Sequence, residues 1–238
     1  MKTFPNFTRL LAAISASAAL AMVPANAAVI LASDFTGVSK SGNIADSFSW
    51  DTVNGIDTPT TSLAFVDPGN SNAALSFFNV TANEIDVNEN IGTGGQWKTS
   101  FVLNLNAGTS AINLTTLDLN VRLANGSGGD NTTGSKDGIY TVQILGSTSS
   151  NLGSASSPVI EYASVSGNAV SIDLSSFADL NQSETYTVNL SLIRDDGNFG
   201  HHISLQDLSL SGSITAIPEP SIALLGAIGF LVLLRRRR

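Results

Sequence analysis

Strict alternation of apolar and polar side chains over short runs is the feature that most restricts the fold of this chain. From Leu117 to Leu123 every second residue is apolar, which places four apolar side chains on one face of an extended strand. A helix would need a period near 3.6, and residues 28–216 lack one apart from a short candidate turn of helix at Ser176–Leu180. The same period of two recurs in three further runs, Trp97–Leu105, Val170–Leu174 and Tyr186–Leu192.

Shorter strand candidates, separated by Gly, Asn, Ser, Asp and Pro, fill most of the remaining sequence, and residues 126–138 read as a long exposed loop. About ten to twelve strands with frequent turns predict an all-β fold, an antiparallel β-sandwich of the jelly-roll type. The shorter candidates are Val29–Phe35, Ser47–Trp50, Ser62–Val66, Ala74–Val80, Ile139–Leu145 and Val159–Tyr162.

The last run changes phase within a single strand. Ile203 and Leu205 share one parity, whereas the apolar residues from Leu208 onward share the opposite parity. The change falls at Gln206-Asp207. A β-bulge at these two residues, or a strand that passes from one sheet to the other, would keep a single buried face.

The N-terminus has the three regions of a secretory signal peptide over residues 1–27. Lys2 and Arg9 supply positive charge, and the apolar run Leu10–Val23 leads to small residues at Ala25 and Ala27. This pattern predicts export and cleavage by signal peptidase after Ala27, which leaves a β domain over residues 28–216. An uncleaved membrane anchor is the alternative.

The C-terminus, residues 217–238, combines a proline motif, an apolar run and a basic end. Thirteen apolar residues follow Ser221, and at ~1.5 Å per residue they make about 20 Å of helix against a hydrocarbon layer of ~30 Å. Arginine side chains can snorkel to the headgroups and remain on the cytoplasmic side. We therefore predict a transmembrane helix over 221–234, with the domain outside and Arg235, Arg236, Arg237 and Arg238 inside.

This arrangement closely resembles the PEP-CTERM sorting domain, a tail also called the ice-binding protein C-terminal domain. The resemblance implies that an exosortase, a membrane-embedded transpeptidase or protease, recognises Pro218, Glu219 and Pro220. It also implies passage through the inner membrane to the cell envelope, surface or extracellular matrix of a bacterium that makes exopolysaccharide. A plain single-span anchor is the alternative. The run from His202 to Ile214 resembles, more weakly, the last strand of several families with this tail.

Charge and composition exclude several functional classes. Residues 28–217 contain five basic and eighteen acidic residues, a net charge of −13, which disfavours nucleic acid as a partner. The chain has no cysteine, which removes thiol catalysis and thiolate metal ligands. His201 and His202 are adjacent, so on a strand they point to opposite faces and cannot chelate one metal together. We predict no catalytic residue, no resident metal and no cofactor.

One motif supports an enzymatic alternative. Glu84-Ile85-Asp86-Val87-Asn88-Glu89 resembles the E-x-D-x-x-E strand of laminarinase-type glycoside hydrolases. By that resemblance Glu84 would be the nucleophile, Asp86 its orienting partner and Glu89 the acid/base, with the two catalytic carboxyls ~5–5.5 Å apart. Those enzymes stack sugars on several tryptophans, whereas Trp50 and Trp97 share the parity of core residues. The simpler interpretation is a solvated strand and loop.

Calcium is the second alternative, because carboxylate and amide oxygens cluster in three turns. The same residues are those that any tight turn prefers. The candidates are Asp67-Pro68-Gly69-Asn70, Asp130-Asn131 with Asp137-Gly138, and Asp195-Asp196-Gly197-Asn198.

The sequence as a whole predicts an exported, non-enzymatic surface or matrix protein. Its Ser, Thr and Asn residues make the outer strand faces polar without charge, which suits a matrix environment and a role that is structural or associated with extracellular polysaccharide. The alternatives are a calcium-dependent carbohydrate-binding module and a glycoside hydrolase that uses Glu84 and Glu89.

Overall fold

A computed structural model describes residues 27–41, 44–46, 48–69, 71, 73–75, 77–78, 84–88, 96–124, 137–148, 151–161, 167–194 and 202–217. In this part the chain forms seventeen strands, numbered β1 to β17 in chain order, and no helix. None of the described segments could therefore cross a bilayer as a helix. Residues 1–26 of the predicted signal peptide and residues 218–238 of the predicted sorting tail lie outside the described residues.

The first sheet has eight strands, all antiparallel to their neighbours. Its main path runs β14-β10-β17-β1-β4, with β15 paired to β10, β8 paired to β17 and β7 paired to β8. The strands are β1 (Ala27–Ser33), β4 (Thr52–Val53), β7 (Phe77–Phe78), β8 (Ile85–Asn88), β10 (Thr109–Ala124), β14 (Asn168–Asp173), β15 (Leu180–Asn181) and β17 (His202–Ala216).

The second sheet has nine strands, also antiparallel. Its path runs β12-β11-β16-β9-β5-β3-β2, with β13 paired to β11 and β6 paired to β5. The strands are β2 (Ser39–Ser41), β3 (Ile44–Asp46), β5 (Leu63–Asp67), β6 (Ala73–Ala74), β9 (Gln96–Leu103), β11 (Asp137–Gly146), β12 (Gly153–Ser156), β13 (Ile160–Glu161) and β16 (Tyr186–Arg194).

A single apolar core draws on both sheets, as the alternation predicts. Leu117 and Leu119 of β10 and Leu190 and Leu192 of β16 are all at most 3% exposed and belong to the same cluster. Each such side chain contributes about 1.5–3 kcal/mol when removed from water. The all-β, two-sheet architecture is therefore confirmed.

The predicted irregularity in the last strand is a β-bulge. In the ladder between β10 and β17, Asn120 pairs with Asp207 and Val121 pairs with Leu205, so Gln206 is the extra residue. Because of this insertion, Leu205 and Leu208 are both buried although their parities differ.

Further bulges explain why the alternation in the sequence predicts a strand over residues 117–123 only, whereas β10 spans residues 109–124. Leu114 pairs with Gly212 and Thr116 with Ser211, so Thr115 is an extra residue in β10. The buried positions of β10 consequently change parity after Leu114, and the alternation reads as two shorter runs.

Two local predictions were wrong. Residues 48–50 form no strand. Instead, the rings of Phe35, Phe48 and Trp50 pack edge-on one after another, and the centroids of neighbouring rings are 5.2 Å apart. The predicted helical turn at Ser176–Leu180 is a tight turn closed by a bond from the N–H of Phe177 to the carbonyl of Leu174, at 2.9 Å. The predicted number of strands, ten to twelve, is lower than the seventeen observed. The difference arises because strands of two residues are too short to show alternation.

Candidate functional site

The outer face of the nine-stranded sheet carries two transverse rows of polar side chains. They arise because alternate residues of β9, β16, β11 and β12 point away from the core. The pairing register places Lys98, Ser191, Thr141 and Ser156 in one row, and Ser100, Asn189, Gln143 and Ser154 in the next. Four strands about 4.8 Å apart give the rows a length of roughly 14 Å.

Six of these eight side chains, all except Ser100 and Ser156, line a groove of about 300 Å³. Gln96 and Lys98 lie on one side of it, Gln143 and Ser154 on the other, and Asn189 between them. This volume lies at the lower end of the range for small-ligand sites, roughly 300–1,000 Å³. The groove is therefore large enough for part of an extended ligand.

Asn189 is the unusual residue of the groove. It is 7% exposed, yet its side-chain amide makes no hydrogen bond with any residue that the structure describes. A side-chain amide offers two donors and an acceptor, and in Asn189 these groups face the groove rather than another side chain. The amide of Asn189 is thus available to a ligand that fills the groove.

The other polar side chains of the two rows differ in how many of their hydrogen-bonding groups are already bonded to protein. The hydroxyls of Thr141 and Ser156 bond to each other at 2.7 Å, and that of Ser191 donates to the carbonyl of Thr141 at 3.4 Å. By contrast, the side chains of Lys98 and Gln143 have no hydrogen-bonding partner among the described residues. The groove therefore combines satisfied hydroxyls with amide and ammonium donors that remain available.

The groove ends at apolar side chains that are partly in water. Ile193 of β16 lines it and is 51% exposed, next to Gln96 across the ladder. An amphipathic ligand could therefore place polar groups on the rows and C–H groups on Ile193.

All nine aromatic side chains that the structure describes are buried, and none lines the groove. Trp97 is fully buried and packs edge-on against Phe65 and Tyr140, with centroids 5.3 and 6.2 Å away. Trp50 is 9% exposed and donates from its indole nitrogen to the carbonyl of Thr60 at 3.2 Å. Both tryptophans are core residues, as predicted.

Glu84 lies elsewhere, in a buried ion pair on the eight-stranded sheet. It immediately precedes β8, is 2% exposed, and accepts from Nε of Arg122 at 3.1 Å on Oε2 and from Nη2 on Oε1. Gln206, the bulge residue of β17, donates to Oε2 at 3.3 Å. The expectation of a solvated carboxylate at this position was wrong.

The same geometry does not suit Glu84 to nucleophilic attack. Both carboxylate oxygens are engaged by Arg122 and the group is closed to solvent, whereas a glycosidase nucleophile must contact the sugar. Glu89, its predicted acid/base partner, and the side chain of Asp86 lie outside the described residues.

The calcium candidates are only partly described. Asp67 is 1% exposed, and its carboxylate accepts the N–H of Gly69 at 2.8 Å, which is the bond of an ordinary turn. Asp137 begins β11, and the described residues contain no group of three or more acidic or histidine side chains that could hold a metal. Asn70, Asp130-Asn131 and Asp195–Asn198 lie outside the described residues.

The predicted processing residues lie at or beyond the ends of the described chain. Ala27 is the first residue of β1 and pairs with Ser213 of β17. Ala25 lies outside the described residues, as do His201 and the whole run from Pro218 to Arg238. His202 begins β17 and pairs with Asn88 and Ala124.

Sequence reasoning missed the groove because Lys98, Gln143 and Asn189 form no motif. They lie on three strands and become neighbours only through pairing. The sequence does show that the outward-facing residues of these strands are mostly polar and uncharged. This identifies a polar face of the sheet but not which positions on it form the groove.

Comparisons with known proteins give only low structural similarity. No family model matches the chain, and no curated protein matches it. Among solved structures it resembles TmCBM61 in complex with beta-1,4-galactotriose, at 11% identity and a TM-score of 0.35, over 62% of this chain and 86% of that one. It also resembles the CBM22-1 xylan-binding domain of Paenibacillus barcinonensis Xyn10C, at 9% identity and a TM-score of 0.39, over 82% and 100%. A variant of a carbohydrate binding module family 29 shows 14% identity and a TM-score of 0.34, over 79% and 92%.

Proposed function

We propose that this chain is an exported, non-enzymatic surface or matrix protein whose jelly-roll-like domain binds polysaccharide in the groove of the nine-stranded sheet. One observation carries the proposal: the side-chain amide of Asn189, without a hydrogen-bond partner among the described residues, lines the groove between other polar side chains. Sugar hydroxyls both donate and accept, and so do side-chain amides and hydroxyls.

The expected affinity is modest. The groove is shallow and polar, with no aromatic side chain from the described residues, so we expect a Kd on the order of 0.1–1 mM for a short oligosaccharide. A polymer that presents many copies of the same unit would bind more tightly to a surface that displays many copies of this domain.

Titration of the full chain with a panel of plant and bacterial polysaccharides tests the proposal. Asn189→Ala should weaken binding of the best ligand about tenfold or more, because it removes the amide that would hydrogen-bond to the ligand in the groove. Asn113→Ala is the matched control, since Asn113 lies on the eight-stranded sheet and bonds to Asp179 at 2.8 Å. Equal binding by the wild type and Asn189→Ala, or no binding by the wild type, would refute the groove as the site.

The same titration, repeated with a chelator present, distinguishes the groove proposal from a calcium-dependent carbohydrate-binding module. Unchanged affinity in the chelator supports a direct hydrogen-bonding groove. Loss of binding would instead favour a calcium-dependent module.

We also propose that residues 217–238 act as a PEP-CTERM-type signal, with Pro218-Glu219-Pro220 as the processing motif and Arg235–Arg238 as the membrane stop. The support is the order of the three sequence parts after a signal peptide. Intact-mass analysis of the protein from its native envelope should show a start at Ala28 and an end near Pro218–Pro220. A full-length C-terminus would identify a retained anchor instead.

A further inference from the structure

We infer that the groove selects anionic polysaccharides, specifically chains whose sugars carry carboxylates, and that Lys98 provides the selection. This inference rests on the proposed function. It names the class of sugar that the site prefers.

Lys98 occupies a central position on the sheet. It lies in β9, paired with Val66 of β5 on one side and with Ser191 of β16 on the other. Its side chain is half-buried, and it makes no hydrogen bond or ion pair with any residue that the structure describes. A ligand in the groove would therefore meet an ammonium group that has not been neutralised within the described part of the chain.

The charge of the groove is opposite to that of the domain. Residues 28–217 carry a net charge of −13, yet among the residues that the structure describes Lys98 is the only charged one that lines the groove. The other basic side chain that the structure describes, Arg122, is bound to Glu84. The negative charge of the domain repels an anionic polymer, but at physiological salt this repulsion is screened beyond about 8 Å. The electrostatic interaction of a ligand bound in the groove is therefore determined mainly by Lys98.

The surrounding donors suit a carboxylate. A lysine ammonium has three donors and no acceptor, and its hydrogen bonds to an anion are stronger than those to a neutral hydroxyl. Gln96 flanks Lys98 on the same face of β9, and Gln143 lies two strands away, about 10 Å. A carboxylate on one sugar could bind Lys98 while the next sugars lie over Asn189 and Gln143.

The test compares one oligosaccharide in two charge states. The full chain, kept in a zwitterionic detergent without a sugar headgroup, is titrated with an oligogalacturonate and with its methyl ester, which keeps the backbone and removes the charge. We expect about tenfold tighter binding of the acid, and we expect the preference to shrink as salt rises from 50 to 500 mM.

Lys98→Gln should bring the acid and the ester to equal affinity. Lys40→Gln removes a lysine from strand β2, which lies three strands from β9 at the end of the sheet, and should leave the preference unchanged. A sulfated dextran of the same charge density serves as the third ligand, and it should bind less tightly than the oligogalacturonate.

The possible failures are distinguishable. If the acid and the ester bind equally to the wild type, or if the preference survives in Lys98→Gln, the inference is overturned, although the proposed function stands as long as Asn189→Ala weakens both ligands. A preference for the sulfated polymer would overturn the assignment to carboxylates. If no polysaccharide binds at all, both the inference and the proposed function fail.

Discussion

Replacing Arg122 with methionine tests the buried ion pair of the eight-stranded sheet. Arg122 and Glu84 are 8% and 2% exposed, and the guanidinium bonds to both oxygens of the carboxylate. Arg122→Met would leave a carboxylate closed to solvent with only Gln206 as a described donor. The protein must then bury a charge that has lost its ionic partner, which is costly.

The expected loss is large relative to the stability of a domain. Removing one partner of a buried ion pair costs about 3–5 kcal/mol, whereas a whole domain has a free energy of unfolding of about 5–15 kcal/mol. For a domain of this size, 1 kcal/mol shifts Tm by about 2–4 °C. Arg122→Met should therefore lower Tm by about 6–20 °C.

The double variant Glu84→Gln/Arg122→Met separates a charge effect from a packing effect. It removes both charges together, so no buried carboxylate is left unpaired. It should therefore regain most of the stability that the single variant loses, because exchanging a whole buried pair for uncharged groups is often nearly neutral.

Urea unfolding followed by tryptophan fluorescence measures these effects, since Trp50 and Trp97 are both buried. Lys98→Met is the matched control: it removes a basic side chain without a described partner and should change stability by less than about 0.5 kcal/mol. A loss below about 1 kcal/mol in Arg122→Met, or a double variant no more stable than the single one, would refute the reasoning.

Three further predictions concern local contacts. Gly153→Ala should cost about 1–3 kcal/mol in urea unfolding, because its Cβ would lie 2.6 Å from the ring of Phe177. Burial raises the pKa of Tyr186, so wild-type stability should fall as the pH rises above about 10, and Tyr186→Phe should reduce that fall. Hydrogen bonds from Thr36 lower the pKa of Asp34, so the stability it adds is present above about pH 4 and lost on further acidification. Asp34→Asn should flatten that part of the curve between pH 5 and pH 2.

The sequence predicted those parts of the fold that depend on local periodicity. Alternation from Leu117 to Leu123 placed the apolar face of β10 correctly, and the phase change at Gln206-Asp207 located the bulge in β17. The bulge at Thr115 was missed although Leu114 and Leu117 also differ in parity. The two apolar runs on either side of it were not treated as one strand.

The candidate site and the ion pair could not be predicted in the same way, because they depend on contacts between distant residues. Glu84 and Arg122 are 38 positions apart, and the charge pattern around Glu84 looks like that of any solvated strand. Asn189 is an unremarkable residue in sequence. Only the pairing of β16 with β9 and β11 places it between Lys98 and Gln143.

The position of β17 determines how the domain responds to mechanical load. This strand ends at Ala216 and is hydrogen-bonded on both sides, to β10 and to β1. A pull applied through the residues after Ala216 must therefore break the ladder to β10 and, from Ser213 to Leu208, the ladder to β1 as well before the strand leaves the sheet. An edge strand has one neighbour and can separate from it one hydrogen bond at a time. A tether attached to an inner strand such as β17 remains anchored until the bonds to both neighbouring strands have broken.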